Sequence, residues 1–232
     1  MDILDKSGKV VRSFTSVAPP ARPARPGQEE DQGGGGDEEE GGFRPTWPTV
    51  LESKAGMHRF TWDLRYTGGW TADSRPLATN GPVAVPGDYQ VCVKVGAWTS
   101  TQPLHIIEDP RVTKAGVTTA DLQEQFDHNE RVLALLNDTN KAADRLKNAQ
   151  KEIKANHSEG SEKGKKLQAL SDKLLTPPIR YSQPGLQTHV QYMYGMENRT
   201  DQKIGKDAVE RYTYLRKQID EAMAELDSAL KM

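Results

Sequence analysis

The sequence predicts an α+β chain, with layered β structure over residues 1–108 and an antiparallel helical bundle over 109–232. Three observations carry that prediction. Short runs of alternating apolar and polar residues, separated by Pro and Gly, fill the first part. After Asp109-Pro110-Arg111-Val112 the apolar period lengthens from two to about three and a half. Of 232 residues, 35% are hydrophobic and 28% charged, a balance that disfavours one large core and fits a two-part chain with an elongated, solvated portion.

Ile3 to Val11 reads as strand, tight turn, strand, with Gly8 supplying the positive φ that such a turn demands. Residues 18–43 repeat Pro, run four Gly from Gly33 to Gly36, and concentrate Glu29, Glu30, Asp31, Asp37, Glu38, Glu39 and Glu40. So little of this segment can be buried that it reads as a disordered loop inserted between strands, and it lacks the ligand spacing of an EF-hand calcium loop. In Met57–Arg65 the apolar Phe60, Trp62 and Leu64 alternate with Thr61, Asp63 and Arg65, which predicts a half-buried antiparallel strand. Pro86-Gly87-Asp88 turns the chain into a further strand, on which Tyr89, Val91, Val93 and Val95 share a face and Cys92 is a structural residue. Gly96-Ala97 permits a hairpin into Trp98–Ile107, where Gln102, Leu104 and Ile106 continue the alternation. Strands of this length and spacing predict a β-sandwich of immunoglobulin or fibronectin III-like form.

Beyond residue 110, Thr118 offers a hydroxyl to cap a helix and Asp121 a carboxylate three residues on. Leu122, Phe126, Leu133, Leu136, Ala143, Leu146 and Ile153 then form one stripe, interrupted by Asn129 and Asn140, over some 35 residues. Asn156 to Gly160 breaks that helix, and Ser161 can cap a second one carrying Leu167, Leu170 and Leu174 until Pro177-Pro178. A shorter helix with Leu186, Val190, Met193 and Met196 follows, weakened by Gly195. The last helix carries Val209, Tyr212, Leu215, Ile219, Met223, Leu226 and Leu230, with Lys217, Asp220, Glu221 and Glu225 facing out. These stripes are read as the seam of a three- or four-helix bundle.

Thirty-one Lys and Arg against 33 Asp and Glu give a net charge of −2, which offers no broad basic field for nucleic acid. No window is apolar enough for a membrane span, and the N-terminus lacks the pattern of a signal peptide. With no zinc spacing among His58, His105, His128, His157 and His189, and one cysteine, no metal site or cofactor is expected. Catalytic motifs are lacking, and Asp63 beside Arg65 reads as a sheet-face ion pair, so no catalytic residue is assigned. Trp62 is in phase with the predicted core, whereas Trp47, Trp70 and Trp98 fall in loops or at a hairpin and are the candidate platform for stacking on sugar rings.

The order Ile-Leu-Asp-x-x-Gly-Lys-Val-Val-Arg-Ser-Phe, Ala-Gly-Met-His-Arg-Phe-Thr-Trp-Asp-Leu-Arg-Tyr, Gly-Pro-Val-Ala-Val-Pro-Gly-Asp-Tyr-Gln-Val, then Asp-Pro-Arg-Val resembles the C-terminal region of large bacterial sortilin-type or neuraminidase-repeat β-propeller proteins. There the region is an immunoglobulin-like module, similar to the C-terminal domain of the flagellar hook-capping protein, followed by a helical tail. The resemblance covers nearly the whole chain; His58 stands where the family often has Asn, and the acidic Gly-rich insertion is longer than in the family. It implies a non-catalytic structural or interaction module that assembles with an upstream β-propeller polypeptide or another protein chain, in the periplasm or outside the cell. Any hydrolase activity would reside in the propeller. The alternative is a carbohydrate-binding accessory module that takes polysaccharide. The chain opens at what resembles the second strand of the module, so Met1 is expected to begin a fragment or follow a separate polypeptide, and the sheet is expected to have an open edge.

Overall fold

The computed structural model describes residues 1–17, 50–70 and 81–232. They form a mixed fold, a four-stranded antiparallel sheet followed by helices. The strands are β1 (Asp2–Asp5), β2 (Val10–Ser13), β3 (Gly87–Val95) and β4 (Trp98–Ile106), in the order β2-β1-β3-β4. The predicted insertion 18–43 lies outside the described residues.

Two hairpins build the sheet. In the first, Gly8 takes φ 85° and the Asp5 carboxylate accepts from the backbone N–H of Ser7 (2.8 Å) and of Lys9 (3.0 Å). Between Ile3 and Leu4 the pairing with β2 shifts by one residue, leaving Val11 as the extra residue of a bulge. Both Val11 and Arg12 are consequently buried, where strict alternation would bury only one. Arg12 donates to the Tyr66 carbonyl (2.9 Å) and lies over the Phe14 ring, 5.4 Å from its centre. In the second hairpin Val95 pairs with Trp98 across Gly96-Ala97, and Gly96 has φ 57°.

Hydrogen-bond phase fixes which backbone groups point outward at each edge. Asp5 N–H donates to Lys9, and Met1 and Phe14 exchange bonds, so odd residues of β1 bond β2 and even ones bond β3. By the same alternation, even residues of β4 bond β3. Thr99, Thr101, Pro103 and His105 therefore present their backbone groups to the outside, the orientation a proline without an N–H requires. At the opposite edge Val11 C=O accepts from the Thr67 N–H (3.0 Å), and Thr15 C=O just beyond β2 accepts from the Leu51 N–H (2.9 Å). No such cover meets the outer edge of β4 among the described residues.

The predicted strand over Met57–Arg65 is not formed. A local turn replaces it: Asp63 accepts from the Arg65 N–H (3.0 Å), the Trp62 indole donates to the Arg65 carbonyl (2.9 Å), and Leu64 sits at φ 57°. Side-chain alternation survives in part without the ladder. Phe60 and Trp62 pack on the sheet core of Ile3, Val11, Phe14, Ala84, Tyr89 and Ile106, while Leu64 is 39% exposed. Phe14–Phe60 and Trp62–Tyr89 meet edge to face. Backbone bridges linking Thr15 to Val50 and Arg65 to Val83 complete this irregular cover.

A single turn, α1 (Pro110–Lys114), was not predicted; Asp109 caps it by accepting from the Arg111 N–H (2.8 Å), and proline occupies its first position. α2 (Thr119–Ala155) has the expected capping box between Thr118 and Asp121. It ends with His157 at φ 50°. α3 (Glu162–Leu174) starts at Ser161, whose hydroxyl accepts from the Gly164 N–H (3.0 Å). α4 (Leu186–Glu197) and α5 (Lys206–Leu230) complete the chain.

Side-chain pairs fix the helix directions. Lys163 reaches the Leu230 carbonyl and Lys173 reaches Glu225, so α3 opposes α5. Gln187 bonds Asn140 and Glu197 meets His128, so α4 opposes α2. Arg216 pairs with Asp138 and Arg145 with Asp227, so α5 runs parallel to α2. The apolar stripes converge on a core centred on Val132, Leu135, Leu146, Leu167, Val190, Leu215 and Ile219. Four expected seam residues fall outside it: Leu122 and Phe126 line the joint with the sheet instead, and Met196 is 48% and Val209 40% exposed, while Tyr194 takes the buried place on α4.

Candidate functional site

Two places are candidates, the outer edge of β4 and the joint between sheet and helices. At the edge, Trp98 is 58% exposed beside Val95 at 67%, and Ile107 just past the strand is 75% exposed. His105 Nδ1 lies 2.7 Å from the Asp88 carboxylate across the hairpin.

Of the three candidate stacking residues, Trp98 is thus accessible at the hairpin tip. Trp70 lies elsewhere, in a loop. Its backbone N–H donates to the Asn137 side chain (2.6 Å) and its carbonyl accepts from Asn140 (3.3 Å), fastening the loop to the middle of α2. Trp47 lies outside the described residues.

The joint is built from polar groups that the apolar stripes cannot supply. The Arg65 guanidinium donates to the carbonyls of Gly81 (2.9 Å) and Asn198 (3.1 Å) rather than pairing with Asp63, which corrects the expected sheet-face ion pair. Asn198 in turn donates to Gly81 (3.1 Å). On α2, Gln125 donates to the carbonyls of Glu197 (2.8 Å) and Thr200 (2.7 Å) and accepts from Gln202 (3.1 Å), so one side chain ends α4 and orders the segment after it. His128, 1% exposed, meets Glu197 at 3.0 Å and packs edge to face on Tyr212, leaving its Nδ1 without a partner. Tyr66 and Phe126 bring the two halves together with ring centres 4.8 Å apart.

A cleft of about 190 Å³ opens at this joint. Leu64, Val85 and Ile106 from the sheet side and Leu122, Phe126 and Asn129 from α2 form its walls. Asn129 is 2% exposed; its Nδ2 points to the Glu197 carbonyl (3.4 Å) and its Oδ1 has no hydrogen-bond partner.

Burial pushes the phenols of Tyr66 and Tyr194 well above their ordinary range, and the neighbouring Tyr89 hydroxyl adds to the effect at Tyr66. Both stay neutral at physiological pH. No group of three or more His, Cys, Asp or Glu placed to hold a metal ion occurs among the described residues. Cys92 is buried in β3. No described helix is long and apolar enough to cross a membrane.

The sequence marks Asn129 and Asn140 only as interruptions of a stripe; a polar residue in phase with a core is the signal that could have located the joint. Gln125, His128 and Asn198 carried no comparable mark. No family model, no curated protein and no solved structure matches the chain.

Proposed function

We propose that the chain is a non-catalytic assembly module: a sandwich-like β part and a helical bundle, whose sheet is completed by a strand from an upstream β-propeller polypeptide. The resemblance of the Arg-Phe-Thr-Trp-Asp-Leu-Arg block to propeller-associated modules supports the identity of the partner. The single observation that carries the reading is the asymmetry of the sheet. The β2 edge is covered at Val11, and the chain just beyond it at Thr15, whereas β4 turns Thr99, Thr101 and His105 outward with no described partner. Unpaired edges of this length invite strand addition, and the bound strand gains main-chain hydrogen bonds with little change in the host. Pro103 interrupts the row of donors, so the stretch from Trp98 to Gln102 is where pairing begins.

The test uses Thr101→Pro. Because Thr101 faces outward, this change removes an edge donor without breaking the β3 ladder. Hydrogen exchange should show fast amides at Thr99, Thr101 and His105 in the chain alone and protected ones in the complex with the propeller polypeptide. Thr101→Pro should abolish the complex while leaving the melting temperature nearly unchanged. A complex that forms equally well with the variant would sink the strand-addition reading.

A second reading, a carbohydrate-binding accessory module, draws support from the exposure of Trp98. Quenching of tryptophan fluorescence by a polysaccharide, lost in Trp98→Ala, is its expected signature; an unchanged titration in that variant refutes it.

A further inference from the structure

We propose that the cleft at the joint is a binding site for an organic cation with an apolar stem, an alkyl ammonium or guanidinium group. Three features of the lining point to that chemistry, independently of the β4 edge. First, an apolar side of the cleft, formed by Leu64, Val83, Ile106, Leu122 and Phe126, would surround an alkyl stem, while the other side is polar. Second, Asn129 offers one buried acceptor. Rotating its amide would set Oδ1 against the Glu197 carbonyl, so Nδ2 keeps that contact and Oδ1 remains for an occupant that donates. Third, the charged residues of the lining are Asp109 and Asp201, with no Lys or Arg among them; Arg111 already pairs with the Asp109 carboxylate (2.7 Å), which leaves Asp201 as the carboxylate for an occupant. An unsatisfied acceptor carried by a lining residue, reached by a small side-chain shift, and the Asp201 carboxylate favour a positively charged donor and disfavour an anion.

Size narrows the class further. About 190 Å³ lies below the roughly 300–1,000 Å³ of ordinary ligand pockets, so the site takes a group the size of one side chain. The same chemistry can arrive as a free metabolite or as a Lys or Arg side chain of a protein. In either form it would touch the sheet-side residues Val83 and Ile106 together with α2, and so stiffen the joint.

The full chain would be titrated with n-butylguanidinium and n-butylammonium, followed by shifts of the Asn129 side-chain amide in NMR spectra and by melting temperature, with 1-pentanol and pentanoate as neutral and anionic controls. Saturable shifts and a raised melting temperature are expected for the cations alone. Asn129→Ala should weaken binding about tenfold or more, since it removes a buried acceptor to a charged donor. Asp201→Asn, at an exposed position, should weaken it about two- to fivefold without affecting the fold. A peptide presenting one Arg in an Ala background separates the sources. Tighter binding than n-butylguanidinium identifies a protein side chain, and exclusion of the peptide with retention of the small cation identifies a free metabolite. Equal binding of pentanoate, or no saturable response to either cation at millimolar concentration, would overturn the proposal. The Asp201→Asn arm guards against misreading a variant that fails to fold.

Discussion

Along α2, α3, α4 and α5 the core gathers 17 buried residues, with Val132, Leu135, Leu146, Leu167, Val190, Leu215 and Ile219 fully enclosed. Among the described residues the sheet gathers six, and it depends on half-buried Leu51, Phe60, Trp62 and Tyr66 from irregular backbone to close its face. A helix repeats its burial pattern every turn whatever happens far away, so α2 can bury the residues its stripe marks. The inner face of the sheet is completed by segments distant in sequence, and the geometry of those segments is set by side-chain bonds such as Trp62 to Arg65. One half is held by periodic packing and the other by particular contacts.

The sharpest way to break that contrast is to remove one side chain from each core. Leu146→Ala leaves a cavity among fully enclosed neighbours and should cost about 3–5 kcal/mol in denaturant unfolding. Phe60→Ala should cost less than half as much, because its ring is half-buried and the surrounding loop can relax. Equal losses would mean that the cover of the sheet is as rigid as the helical core.

The next effect tests the particular contacts. A Cβ on Gly81 would collide with the Tyr66 carbonyl, and Gly81 C=O is the acceptor shared by Arg65 and Asn198. Gly81→Ala should therefore destabilise the chain by about 1–3 kcal/mol through strain at the joint. Exchange protection should fall first around Asn198 and Thr200 and not in α3. Uniform loss of protection would show that the joint and the helical core unfold as one unit.

The helices were readable because each mark was local: Thr118 with Asp121, Ser161 before α3, prolines at Pro177-Pro178, and leucines at three and four. Both hairpins were readable from Gly8 and Gly96 for the same reason. Met57–Arg65 misled because alternation in sequence records which side chains are buried, not whether the backbone finds a strand to pair with. Leu64 at positive φ is a conformation that no pattern of residue types announces. The cleft was not legible: Asn129 stood out only as an interruption of a stripe, and the walls from Leu64, Val85 and Ile106 have no local link to α2.

A smaller effect belongs to the start of α2. Thr118→Ala should cost about 1 kcal/mol, as loss of a helix cap usually does. The Thr118 hydroxyl and backbone N–H, with Lys203 beyond, hold the Asp121 carboxyl below its ordinary value. The native state therefore favours the ionised form, and this contribution is fully present above the usual carboxylate range. It fades as pH falls through that range and is lost once Asp121 is protonated in the folded chain. Asp121→Asn should flatten this part of the acid limb in pH-dependent melting; an unchanged acid limb would assign the sensitivity to other carboxylates.

The smallest effect separates packing from charge within the helical half itself. Arg216 joins Asp138 of α2 to Asp220 of its own helix and is, beside Arg145–Asp227, one of two charged links between α5 and α2 among the described residues. Its side chain is 27% exposed and those of its partners 40% and 56%, so water screens both attractions. Arg216→Gln should accordingly cost only about 0.2–1 kcal/mol, and less as salt is raised. Gln keeps part of the apolar stem, so a loss that survives in high salt would be a loss of packing. A loss as large as that of Leu146→Ala would mean that α5 is held by charge at one point, and not by the leucine and isoleucine seam along its length.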